Sequence, residues 1–127
     1  MQFEFPEHTR EMQCTLHRFM HEQVLPQLEA YARAAEDHRW PVEVLEPLKE
    51  KAREAGLWNI FLPGLRQDEP GTRLSNLEYA PLAEIMGRVP WAAEVFNCNA
   101  PDTGNMELLH LFATPVQRQR WLNPLMQ

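Results

Sequence analysis

Eleven prolines are scattered through these 127 residues and never gather into a linker. A proline offers no amide donor and its ring meets the carbonyl four residues back, so it is tolerated in a helix's first turn and costs about 3 kcal/mol in the interior. Scattered this way, the prolines divide the chain into short segments with ends set in advance. Between them the apolar residues are mostly straight-chained: sixteen leucines and six methionines stand against six valines and two isoleucines. That balance suits helices better than pleated surfaces. The expected fold is all-α, with five to six helices and no strand. Residues 1–127 form one domain, long enough for a single core.

The first helix is expected to start between Pro6 and Thr9 and to run to about Leu25, with Met12, Leu16, Phe19, Met20 and Gln23 on one stripe. Pro26 should end or kink it, and Leu28 and Tyr31 carry a bent continuation through Ala35. A second helix begins at Pro41 or, because Pro47 would cost an internal hydrogen bond, at Pro47 itself. Either start leaves Val44, Leu45, Leu48 and Ala52 facing inward, with Gly56 as the stop. Gly56 to Leu65, GLWNIFLPGL, is too apolar for solvent and reads as a buried extended connection, whereas RQDEPGTR after it reads as an exposed loop.

Ser75 and Glu78 have the spacing of a capping box, so a third helix starts at Asn76, buries Leu77, Leu82, Ile85 and Met86, bends at Pro81 and ends at Gly87. Pro90 separates it from a segment at Trp91–Asn99. Another helix covers Pro101–Phe112, with Met106, Leu109 and Phe112 at intervals of three. Thr114 and Gln117 repeat the capping-box spacing, with Pro115 at the favoured first position, and open a last short helix carrying Val116, Arg120 and Trp121.

Twelve basic against eighteen acidic side chains leave a charge of −6. No broad positive field is present to attract a phosphate backbone, so nucleic acid is not an expected partner. No apolar run approaches the roughly 20 residues that cross a bilayer. Two cysteines, Cys14 and Cys98, and a polar opening, MQFEFPEHTREMQ, fit a reducing, cytoplasm-like setting.

Candidate chemistry is sparse. Cys14, His17 and His21 share one face of the first helix and could offer three ligands to zinc, but no second element supplies a fourth, and a solvated helix face is the expected outcome. Glu107 and His110, at i and i+3, could act as acid and base only inside a cleft. Glu43, Glu46, Glu50 and Glu54, set among Lys49, Lys51 and Arg53, form an ordinary charged helix surface. No glycine-rich phosphate loop, nucleophile elbow or HExxH motif occurs.

The segments AREAGLWNIFLP, LEYAPLAEIMGR, EVFNCNAPDTGNMELL and TPVQRQRWLNPLM, in that order, resemble the N-terminal helical domain of the acyl-CoA dehydrogenases. They are most similar to the branch that includes long-chain enzymes sometimes fused to a kinase-like domain. The likeness runs from about Phe5 to Gln127 and is most specific at NAPDTGNMELL and RWLNPL. It implies an orthogonal bundle of five to six helices as the first of three domains, the middle β-domain and C-terminal helical domain being absent from this chain.

The implied reaction is FAD-dependent oxidation of an acyl-CoA to a trans-2-enoyl-CoA, with reoxidation by an electron-transfer flavoprotein and a homo-oligomeric enzyme. The implied glutamate base lies in the missing C-terminal domain, so no residue here is expected to be catalytic. FAD belongs to the full-length enzyme, and none is expected on this chain alone. What the resemblance leaves to this chain is part of the acyl pocket wall, built by paired helices over Trp91–Asn99 and Pro101–Phe112, with Phe96, Asn97, Ala100, Thr103 and Gly104 as rim residues. Plain core packing is the competing reading for Phe96, and a helix cap the competing reading for Asp102.

Exposed interdomain faces are expected at Trp58, Phe61, Trp91 and Trp121. The alternative is a free-standing helical interaction module derived from such a domain. The implied compartment is the cytoplasm for a bacterial source and the mitochondrion or peroxisome for a eukaryotic one.

Overall fold

Residues 4–65, 67, 69 and 71–127 are described by the computed structural model. Helix α1 (Glu7–Phe19) continues through a wide π-turn (Met20–Val24) and a tight 3₁₀ turn (Leu25–Gln27) into α2 (Leu28–Glu36). Then follow α3 (Val42–Glu54), α4 (Asn76–Met86), the one-turn α5 (Ala92–Val95) and α6 (Asp102–Phe112). The chain closes with α7 (Pro115–Gln117), a second π-turn (Arg118–Leu122) and α8 (Asn123–Met126), wound without a break. Among the described residues there is no strand, and the expected all-α bundle holds.

Pro26 neither ends the first helix nor leaves it regular. Leu25 N–H bonds to Met20 O, five residues back. The same device recurs before Pro124, where Asn123 N–H bonds to Arg118 O. In each case the carbonyl four residues before the proline, of Glu22 or Arg120, would meet the ring in a regular helix. One extra residue in the preceding turn gives that carbonyl room, so the winding passes the proline.

Both capping boxes form. Ser75 N–H donates to Glu78 Oε2 at 2.8 Å and Glu78 N–H returns to Ser75 Oγ at 3.3 Å. Thr114 N–H donates to Gln117 Oε1 at 2.9 Å and Gln117 N–H to Thr114 Oγ1 at 3.4 Å. Helix α3 begins after Pro41 and carries Pro47 inside. It ends in a Schellman motif, with Leu57 N–H on Ala52 O (2.9 Å) and Gly56 N–H on Arg53 O (3.1 Å). Gly56 at φ +70° supplies the left-handed residue this motif requires.

The main core joins Leu16, Phe19, Met20 and Val24 to Val44, Leu45, Leu48 and Ala52 of α3, and to Leu82, Ile85 and Met86 of α4. A smaller core gathers Leu62, Leu65, Met106, Leu122 and Met126 beneath α6. Between them runs Gly56–Leu65, buried as expected at Leu57, Asn59, Ile60, Leu62 and Leu65. It is built of turns rather than extended chain, because Asn59 at φ +55° and Gly64 at φ +72° reverse it.

Other expectations are corrected. Leu77 is 75% exposed, since the capping box turns the first residues of α4 outward. Trp91–Asn99 holds only the single turn of α5, because Asn97 at φ +54° breaks the winding. Asp102 lies in the first turn of α6 and makes no capping bond. Of the loop RQDEPGTR, Arg66, Asp68 and Pro70 lie outside the described residues, and the Glu69 side chain is tucked in at 10% exposure.

Candidate functional site on the outer face of α6

Helix α6 is apolar on both sides. Met106 is buried and Leu109 half-buried against the smaller core. Leu108, Leu111 and Phe112, at i, i+3 and i+4, share the opposite face and are 59, 62 and 76% exposed. Gly104 lies one turn before Leu108 on that face, and a Cβ added there would meet nothing within 4 Å. Val116, just past the next cap, extends the patch at 74% exposure. Phe112, spaced at intervals of three with Met106 and Leu109, points out while Met106 is buried.

The five expected rim residues divide. Ala100 and Gly104 are exposed at the start of α6, and Thr103 is half-buried. Phe96 is fully buried in the main core, edge-to-face on Phe19 at 5.4 Å between ring centroids, as the packing alternative held. Asn97 turns inward. Its Nδ2 donates to Asn59 Oδ1 at 2.7 Å and to Leu125 O at 2.8 Å, with Met106 Sδ at 3.7 Å. Asn59, fully buried, donates in turn to Met126 O at 2.7 Å, and its own amide bonds to Phe96 O at 3.1 Å. Two asparagines in left-handed conformation, which this side chain tolerates better than most, thus bind the last carbonyls of α8.

The aromatic side chains expected to form an exposed patch have mostly found internal partners. Trp91 stacks on Tyr31 at 4.4 Å, and Trp58 Nε1 donates to Met126 O at 2.9 Å beneath the Arg53 guanidinium, 3.8 Å above its ring. Phe61 is half-buried, and of the four only Trp121 is exposed. The sequence did carry a signal for Leu108, Leu111 and Phe112: a short helix apolar around most of its circumference is one whose two sides are both meant to be covered.

Beside this face lies an open groove of about 890 Å³ bordered by Leu111, Ala113, Gln119 and Asn123. Along it, Arg118 Nη1 sits 2.9 Å from Glu69 Oε1, and Arg118 Nη2 donates to His110 O at 2.8 Å and meets His110 Nδ1 at 2.9 Å. His110 therefore pairs with Arg118 and Glu69, not with Glu107, which is exposed. Cation and carboxylate are both spent on a structural tie between loop and helix.

The thiol at Cys98 is not an activated nucleophile. Burial pushes the Cys98 thiol up to about 12, against the pull of the Phe61 and Ile60 backbone and of Tyr79, so it stays protonated at neutral pH. Cys14, His17 and His21 are exposed, and among the described residues no three His, Cys, Asp or Glu side chains gather as metal ligands would.

Residues 6–127 match the family model for the acyl-CoA dehydrogenase N-terminal domain. Acyl-CoA dehydrogenase family member 10 of Mus musculus is 49% identical over 105 residues, covering 80% of this chain and 10% of that protein. Family member 11 of Gallus gallus is 44% identical over 124 residues, covering 93% of this chain and 15% of that one. A solved structure described as an acyl-CoA dehydrogenase of Mycobacterium abscessus superposes with a TM-score of 0.81 at 41% identity, over 98% of this chain and 32% of its own. The chain thus spans a minor part of each of these relatives.

Proposed function

The chain belongs to the acyl-CoA dehydrogenase family as an N-terminal domain, and from that premise we propose that it builds one wall of an acyl-CoA site in an FAD-dependent oxidation to a trans-2-enoyl-CoA. The observation that carries this reading is the exposed apolar face of α6. An acyl chain gains by leaving water against such a surface, at about 25 cal/mol per Å² buried. Gly104 leaves open volume at its head.

On this reading FAD is not held by this chain. The chain has no glycine-rich phosphate cradle, and the guanidinium of Arg118 is held by Glu69 and His110. The cofactor is therefore assigned to parts of the enzyme beyond this chain, as are the base and the contact with an electron-transfer flavoprotein. The isolated chain is inactive on this reading, and the assembled enzyme is a homo-oligomer.

A chimaera tests the proposal: this chain replaces the matched third of the Mycobacterium abscessus protein, and Gly104→Phe is introduced into it. The expected result is flavin bleaching by acyl-CoA in the parent chimaera. Gly104→Phe should then lose about tenfold in kcat/KM on long chains and little on short ones. Equal loss at every chain length would refute the wall. A flavin-loaded chimaera that no acyl-CoA reduces would refute the activity.

The same exposed face also supports the second reading, an interaction module. That reading predicts a partner protein covering Leu108, Leu111 and Phe112, with no role for acyl-chain length.

A further inference from the structure

The geometry points to Asn97 as a positioning residue that sets the acyl-facing segment through the backbone rather than by touching substrate, an inference that rests on the function proposed above. The Asn97 amide has two N–H donors, and both are spent, on Asn59 Oδ1 at 2.7 Å and Leu125 O at 2.8 Å. None is left to polarise a thioester carbonyl. What the side chain does is fasten its own backbone, at φ +54°, to two other parts of the molecule: the turns after α3, through Asn59, and the last turn of α8, through Leu125.

Asn59 is itself fixed, its Nδ2 on Met126 O at 2.7 Å and its N–H on Phe96 O at 3.1 Å. The chain leaves Asn97 by a short connection, crosses the cis Ala100–Pro101 peptide and enters α6 at Asp102. The direction of Ala100 and Gly104, and with them the apolar face of α6, is thereby referred to the Asn59–Asn97 pair. Asn59 is fully buried and far too enclosed to meet a ligand. It is therefore an internal control: a positioning role makes Asn59 and Asn97 act as one unit, whereas an effect seen at Asn97 alone would mark a direct contact.

The test uses Asn59→Gly, Asn97→Gly and the double variant, glycine keeping the left-handed backbone free of strain while deleting each amide. In the flavin-loaded chimaera, each single variant should raise KM for long-chain acyl-CoA about tenfold while kcat changes less than about twofold, and the double variant should be no worse than either, because members of one network are non-additive. Short-chain substrates that do not reach the wall should keep their KM. An Asn97→Gly effect that Asn59→Gly fails to reproduce, or one independent of chain length, overturns the inference.

A second measurement on the native 127-residue chain serves if the variants do not fold or the chimaera proves inactive. Both side-chain amide protons of Asn97 should be protected from hydrogen exchange, and freely exchanging protons there overturn the assignment. An inactive chimaera with protected Asn97 protons would count against the proposed activity and leave the positioning geometry intact.

Discussion

Replacing Asn59 tests how the smaller core is joined to the larger. Asn59→Ala deletes the bond to Met126 O and the acceptor for Asn97 Nδ2, both at 2.7 Å. Each hydrogen bond contributes about 1 kcal/mol net. One Asn97 N–H is then left half-buried with only the weak acceptor Met106 Sδ at 3.7 Å, adding about 1 kcal/mol, while Met126 O keeps Trp58 Nε1 at 2.9 Å. Alanine must also hold φ +55°, at about 1 kcal/mol.

The sum is about 4 kcal/mol for Asn59→Ala and about 3 kcal/mol for Asn59→Gly, which escapes the backbone term. Urea unfolding followed by tryptophan fluorescence, with Trp58 one residue away, measures both, and an unchanged denaturant slope confirms that the native state was the one affected. A loss under about 1 kcal/mol would show that solvent replaces these bonds freely. Equal losses for alanine and glycine would refute the backbone argument.

Four further outcomes follow from the geometry. Ser75→Ala should cost about 1 kcal/mol at neutral pH. Hydrogen bonds from Ser75 hold the Glu78 carboxyl below its usual range, so this cap stabilises at neutral pH and fades as pH falls through the folded Glu78 value; the variant should show a shallower acid loss in pH-dependent unfolding. Burial lowers the affinity of Lys49 for its proton, but Glu94 at 2.7 Å and Glu46 at 3.1 Å outweigh it and the net direction is up. That contribution is present below the usual lysine range and lost as pH rises through the folded value, and Glu94→Gln should cost about 1–2 kcal/mol in urea and flatten the alkaline limb. Phe112→Ser should leave stability within about 0.5 kcal/mol yet reduce self-association in sedimentation, because the ring meets solvent in the isolated chain. A thiol reagent should label exposed Cys14 rapidly and half-buried Cys98 far more slowly at neutral pH, because burial raises the Cys98 thiol and leaves little thiolate; equal rates would contradict this.

Local chemistry was legible because local forces decide it. Ser75 with Glu78 and Thr114 with Gln117 had to cap helices wherever those helices went, and Gly56 had to stop α3. The inward stripe of α3 survived the uncertainty over Pro41 and Pro47, since the same faces are buried for either start. The family was readable as well, from the order of polar residues through NAPDTGNMELL, which helical periodicity does not require.

What needed the tertiary structure were the questions in which one segment competes with another for the same contact. Helix α6 offers apolar residues to both sides, and only the placement of Leu62, Leu122 and Met126 decides that Met106 is covered while Leu108, Leu111 and Phe112 are not. His110 could pair with Glu107 one turn away, yet Arg118 and Glu69 reach it first. Asn97 could have faced a ligand. The unpaired carbonyls at the end of α8 claim its amide instead, because a buried carbonyl without a donor costs more than a surface asparagine gains. Sequence by itself thus set the two capping boxes, the stop at Gly56, the inward stripe of α3 and the family. That Asn97 turns inward depended on contacts from residues 28 and 38 positions away, and which face of α6 stays open depended on Leu62, Leu122 and Met126; those contacts exist only once the chain has packed.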